Sequence, residues 1–134
     1  MKKMLNKAKI FVSYSLPDSG WVEVFARGLR ERGFDVWLGT NAVGPGEMLQ
    51  AATVRNLRES DVVVMLFDAM TLNSPSALFE LGAAMAGNKA VVPVIPGDLD
   101  LSELPVPLRQ VLFVRRDGPD TTAAQVAGRL LKAS

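Results

Sequence analysis

The chain predicts an α/β fold, a flavodoxin-like five-stranded parallel sheet in the order 2-1-3-4-5 with helices on both faces. Three observations predict it. Short apolar runs of strand length recur along the 134 residues. The stretches between them carry helical spacing or helix start and stop signals. The run Val62–Phe67 is apolar without alternation, as a strand buried on both faces requires.

Ile10–Tyr14 reads as the first strand. After Leu16-Pro17-Asp18-Ser19, apolar residues at Trp21, Val24, Phe25, Gly28 and Leu29 follow helical spacing. Asp18 or Ser19 is the expected N-cap, and Gly33 the C-terminal stop. Phe34–Leu38 is the second strand. Residues 39–46 hold Gly39, Gly44, Gly46 and Pro45, a loop too long for a tight turn. A helix is expected from Glu47, with Met48, Leu49, Ala52 and Leu57 facing inward.

The third strand ends near Phe67. The next helix opens at Ser74-Pro75, where proline suits a first helical position, and stops at Gly87-Asn88. Ala90–Ile95 is the fourth strand; its internal Pro93 removes a ladder bond, which fits an irregular strand or one near an edge. Residues 96–107 read as an irregular crossover. Val111–Val114 makes a short fifth strand, and the last helix runs from Thr121 to Lys132 behind an Asp120 or Thr121 cap. Residues 1–8 form a lead-in and 9–134 a single domain, without internal repeats.

Composition excludes several function classes. At 49% hydrophobic and 22% charged residues, the chain fits one ordinary domain with its own core. A net charge of +1 indicates no pull toward nucleic acid or membranes; Lys2, Lys3, Lys7 and Lys9 read as a solvated lead-in. Cysteine and histidine are both absent, which removes thiol nucleophiles, serine–histidine triads and cysteine- or histidine-bound metals. No metal or resident cofactor is expected. No run reaches the roughly 18 apolar residues of a membrane span, and the start lacks a signal-peptide apolar run. A cytoplasmic setting is expected.

In this strand order the loops after strands 1 and 3 meet at the switch point. The first supplies Ser13, Tyr14, Ser15, Asp18 and Ser19; the second supplies Asp68, Thr71, Asn73, Ser74, Ser76 and then Glu80. Hydroxyls and carboxylates together suit a polyhydroxylated ligand such as a ribose, although Ser and Asn also fill ordinary turns. Glu80 stands early in an otherwise apolar, small-residue helix. As a solvent-facing acid it would gain about 0.3–1 kcal/mol from the helix dipole. A capping box does not account for it, because the positions three residues after Ser74 and Ser76 hold Ala77 and Phe79. Asp68 closes strand 3 and also suits a turn or cap. Trp37 suits either core or a site, and Trp21 suits helix core.

The ordered segments Phe11-Val12-Ser13-Tyr14-Ser15, Asp18, Gly33-Phe34-Asp35-Val36-Trp37, Gly44-Pro45-Gly46-Glu47, Ser60–Leu66, Glu80-Leu81 and Lys89–Ile95 resemble successive boxes of Toll/interleukin-1 receptor (TIR) domains, most of all those of bacterial type. The resemblance implies one of two activities. Many such domains cleave NAD+ at the nicotinamide–ribose bond, releasing nicotinamide with linear or cyclised ADP-ribose; others are non-catalytic scaffolds that assemble with other TIR domains. By the resemblance, Glu80 matches the catalytic glutamate that contacts the nicotinamide ribose. Trp37 matches an aromatic residue that stacks on nicotinamide, and Ser13, Tyr14 and Ser15 match the substrate-facing loop. Asp68, Ser74 and Ser76 complete the expected substrate-binding set. Asn41, Val43, Gly44, Pro45, Gly46 and Glu47 match the loop that mediates TIR–TIR assembly.

Two positions depart from the family pattern. Ser76 stands where many catalytic members carry tryptophan, and Gly39 where an acid is common. The resemblance further implies self-association and, for a bacterial enzyme, service as an effector in anti-phage defence. The partners expected are therefore NAD+ and other TIR domains, with no nucleic acid and no membrane. Phe79–Ala84 with Gly87-Asn88-Lys89 also resembles the nucleophile-bearing helix of nucleoside deoxyribosyltransferases, a second enzymatic reading. The Phe11–Ser15 segment and the long glycine–proline loop weigh against it.

Overall fold

The computed structural model describes residues 8–40, 55, 58–68, 72, 82, 87, 90–104, 108 and 112–132. Five parallel strands form one sheet in the order β2-β1-β3-β4-β5, as the sequence predicts. They are β1 (Lys9–Tyr14), β2 (Asp35–Thr40), β3 (Val62–Leu66), β4 (Ala90–Ile95) and β5 (Val114–Arg115). The described helices are α1 (Ser19–Glu31) and α2 (Pro119–Lys132).

Strand alternation sorts the apolar residues onto two faces. Ile10 and Val12 of β1, Val36 of β2, and Val62, Val64 and Leu66 of β3 pack with Val22, Phe25, Ala26 and Leu29 of α1 and with Ala123, Val126, Ala127 and Leu130 of α2. Both described helices therefore cover the same face. On the other face Phe11, Val63, Met65, Phe67 and Ile95 pack with Leu72, Leu104 and Leu108. The central strand β3 is buried along its whole length, which explains its continuous apolar sequence.

Helix α1 buries Val22, Phe25, Ala26 and Leu29, one ridge at helical spacing. The expected inward positions Trp21 and Val24 are only partly buried, so the buried face is rotated from the predicted one. Gly33 stops the helix as expected. Its φ of 95° lies in the left-handed region. The Gly33 N–H donates to the Arg30 carbonyl and that of Phe34 to the Leu29 carbonyl, the paired bonds of a Schellman motif.

Several element bounds differ from the sequence reading. Strand β2 continues through Gly39 and Thr40, because Ser13 and Tyr14 of β1 supply partners for them. Strand β5 has two residues and begins only at Val114; Leu112 before it is 80% exposed. Helix α2 starts at Pro119, a residue suited to a first helical turn, and not at Thr121.

Pro93 sits in β4 without breaking it, opposite Met65 of β3. The Val94 carbonyl accepts from Phe67 on the β3 side, whereas the Ile95 carbonyl accepts from Arg116 on the β5 side. Backbone groups alternate along a strand, so the donor that Pro93 lacks would point toward β5. Pairing with β5 begins only at Val94, one residue later. The proline therefore costs the sheet no ladder bond on that side.

Candidate functional site

The β1–β3 register brings Ser13 level with Met65. The turn after β1 and the segment after β3 thus leave the sheet side by side at its carboxyl edge, where open α/β sheets hold ligands. Ser13 is 1% exposed and lies opposite Gly39 of β2. Tyr14 and Ser15 are partly exposed, and Tyr14 also packs against the core under α1. Asp68, also partly exposed, follows β3, and its carbonyl accepts from the Leu72 N–H at 3.1 Å. Leu72 is buried in the same apolar cluster as Phe67.

Of the other expected site residues, Glu80, Ser74 and Ser76 lie outside the described residues. So do Asn41, Val43, Gly44, Pro45, Gly46 and Glu47 of the expected assembly loop.

Trp37 is 46% exposed on β2. The Lys9 ammonium lies 4.5 Å from its ring centroid, and the same ammonium pairs with Glu59 at 3.3 Å. Lys9 opens β1, and its main chain bonds with Asp61 just before β3. One face of the Trp37 ring is therefore engaged from the amino edge of the sheet, opposite the edge that carries Tyr14 and Ser15.

The turn after β1 is short. In the 3-10 turn over Leu16–Asp18 the Asp18 N–H donates to the Ser15 carbonyl at 2.9 Å. Asp18 occupies the expected N-cap position of α1, but its side chain makes no capping bond. Its Oδ1 instead accepts from Arg116 Nη1 at 2.9 Å, across 98 residues of sequence. The Arg116 guanidinium also lies 4.5 Å from the Trp21 ring centroid. Trp21 Nε1 donates to the Asp117 carbonyl at 3.1 Å. Asp18 and Trp21 at the start of α1, with Arg116 and Asp117 after β5, thus stitch the two elements together. The sequence reading singled out Asp18 but passed over Arg116, and no local signal marks it: it stands in an ordinary Arg115-Arg116-Asp117 run after a strand.

Two grooves among the described residues lie elsewhere. One of about 640 Å³ runs between β5 and α2, lined by Arg115, Gln125 and Arg129 among others. A smaller one of about 350 Å³ lies beside Leu101, Leu104 and Phe113. Neither contains Tyr14, Ser15, Trp37 or Asp68. The described residues hold no cluster of acids that could bind a metal ion, and no described helix is long and apolar enough to cross a membrane.

A family model described as TIR domain matches residues 10–131. No protein of curated function matches the chain. Among solved structures, a metazoan TIR-STING receptor from C. gigas is similar with a TM-score of 0.62 and 22% identity, over 92% of this chain and 39% of that one. This chain therefore spans about two-fifths of that receptor chain. The TIR domains of the activated Roq1 resistosome, which directly recognises the pathogen effector XopQ, give a TM-score of 0.57 and 18% identity over 95% and 81% of the two chains. A putative quinone reductase from Klebsiella pneumoniae gives 0.52 and 12% over 94% and 83%. At these identities the likeness is one of fold.

Proposed function

Because this chain belongs to the TIR domain family, we propose that it is an NAD+ nucleosidase acting at the bond between nicotinamide and ribose. Two things carry the reading: the family match over residues 10–131, and Glu80, which by resemblance stands where the catalytic members carry their glutamate. Tyr14 and Ser15, partly exposed near Asp68 at the carboxyl edge of the sheet, support a site for a hydroxylated ligand.

The reaction suits a chain without histidine. Ordinary glycosidases need one carboxyl group to protonate the leaving group and a second to handle the sugar cation. In NAD+ the nicotinamide is already a pyridinium cation. When the C–N bond breaks, its electron pair passes to the ring nitrogen and nicotinamide departs neutral, with no proton required. The remaining task is to stabilise the positive charge that develops on the ribose. Glu80, ionised and held against the ribose diol, performs that electrostatic task. Water then adds to the ribosyl cation and loses a proton, giving ADP-ribose; capture by the adenine of the same molecule gives a cyclised product instead. Activation by TIR–TIR self-association and service as an anti-phage effector complete the proposal.

Nicotinamide release from NAD+ tests it. Replacing an electrostatic stabiliser of this kind costs about 100- to 1000-fold in turnover, so Glu80→Ala and Glu80→Gln should lower release by that order. Release equal to that of the unaltered protein in both variants would remove Glu80 from the mechanism. The second reading, a non-catalytic scaffold, is favoured by one observation: the Lys9 ammonium already occupies a face of the Trp37 ring. On that reading the unaltered protein releases no nicotinamide.

A further inference from the structure

We propose that Arg116 is a positioning residue of the substrate site, holding the Ser15–Asp18 turn in shape from the loop after β5. The proposal rests on the nucleosidase reading for its kinetic consequence, but its structural half stands on the geometry alone.

Within the turn the Asp18 N–H donates to the Ser15 carbonyl, and 3-10 turns of this length have poor bond geometry. The Asp18 side chain forgoes the capping bond its position offers and reaches Arg116 instead. Arg116 is fixed independently of the turn. Its N–H donates to the Ile95 carbonyl at 2.8 Å, which ties it to the end of β4, and its guanidinium rests on Trp21. The sheet is thus the anchor and the turn is what it holds.

Shielding strengthens the clamp. The Asp18 and Arg116 side chains are 14% and 25% exposed. Exposed ion pairs contribute little, but removing one partner of a mostly buried pair leaves a charge without compensation. Asp18 Oδ2 is buried and makes no hydrogen bond, so the pair is an expensive way to gain stability. Specifying one turn geometry accounts for it better. Ser15 lies between the end of β1 and the Leu16–Asp18 turn, so the position of Asp18 sets the course of the chain at Ser15.

The experiment compares Arg116→Ala, Arg116→Lys and Asp18→Asn with the unaltered protein in two measurements. Backbone amide exchange over residues 15–19, without NAD+, reads the clamp directly. Exchange there is expected to quicken about tenfold in Arg116→Ala and Asp18→Asn and to return toward the original rate in Arg116→Lys. Steady-state nicotinamide release reads the consequence: KM rises about tenfold while kcat stays within about twofold, because the turn grips substrate and Glu80 does the chemistry. A purely structural staple would lower the melting temperature without splitting KM from kcat, and that result overturns the proposal. Unchanged exchange over residues 15–19 overturns it whatever the kinetics. Should the unaltered protein release no nicotinamide, the nucleosidase reading fails, and the exchange measurement alone decides whether Arg116 holds the turn.

Discussion

The ring of Phe11 occupies the space in which a side chain at position 39 would begin. A Cβ built on Gly39 would lie 2.6 Å from Phe11 Cζ and 2.7 Å from Cε1. Phe11 is fully buried on β1 among Val63, Met65 and Ile95, so its ring has little room to retreat. The departure from the family's acid at this position thus has a local physical cause. A large aromatic on β1 reaches across to β2, and only glycine accommodates it.

Gly39→Ala should therefore destabilise the fold by about 1–3 kcal/mol, the usual cost of overpacking a close-packed site. The same change in a Phe11→Leu background should cost less, because the shorter side chain vacates the contested space. Denaturant unfolding of the two single variants and the double variant measures the coupling. Strict additivity would show that the ring does not restrict position 39.

A similar approach occurs between the helices. A Cβ at Gly28 of α1 would stand 2.9 Å from the Ala123 Cβ of α2. Gly28→Ala gains helix propensity, worth up to about 1 kcal/mol, yet should still lower stability because it pushes α2 away. Ala123→Gly in the same chain should recover part of the loss. Thermal melts of the four proteins decide it; a stabilising Gly28→Ala would mean that the helices part without cost.

Strand order and the buried strand β3 were legible because they rest on periodicity and apolar runs, which are local. What escaped was set by partners distant in sequence. Gly39 reads as the start of a loop, yet it belongs to β2 because Ser13 pairs with it. Val111–Val114 reads as a strand, but the apolar run does not reveal that pairing with β4 begins only at Val94. Asp18 reads as a helix cap; its side chain turns away because Arg116, 98 residues on, offers a charged donor. Within the site, Tyr14, Ser15 and Asp68 could be placed from strand order alone. The burial of Ser13 and the ammonium over Trp37 depend on side-chain packing that spacing does not encode.

That ammonium makes a prediction about substrate grip. If nicotinamide stacks on Trp37, the Lys9 charge competes for the ring and repels the pyridinium. Trp37→Ala should then raise the KM for NAD+, and Lys9→Met should lower it while costing at most about 1 kcal/mol of stability. Unchanged KM in both variants would assign Trp37 to the surface of β2 alone.

Asp100 precedes the 3-10 turn Leu101–Glu103, and its carboxylate accepts from the Ser102 N–H at 2.9 Å. That backbone bond, aided by the Ser102 hydroxyl and by Arg115 against a small effect of burial, holds the Asp100 carboxyl below its ordinary value. A carboxyl depressed in the folded state contributes its stabilisation above the unfolded-state value, and loses it as pH falls through the lower folded value. NMR titration should find Asp100 titrating below an ordinary aspartate. Ser102→Ala should raise the midpoint only partly, since the backbone donor remains.

Self-association makes the remaining prediction, and protein concentration is its lever. If single copies are inactive and a neighbour completes each cleft, the active species at low concentration grows as the square of total protein for a pair, and more steeply for a larger assembly. Nicotinamide release per chain should then rise with dilution reversed and level off once association saturates. A logarithmic plot of rate against concentration should have a slope of about two or more at the low end, falling to about one. Substitution of Pro45 or Glu47, which match the family's assembly loop, should move the levelling point to higher concentration while leaving the plateau rate per chain near its original value. Glu80→Gln should do the reverse, lowering the plateau without moving the levelling point measured by light scattering, because it alters chemistry and not association. A slope of one throughout, with release already present in the monomer, would show that each copy is complete by itself. The assembly loop would then have no part in catalysis.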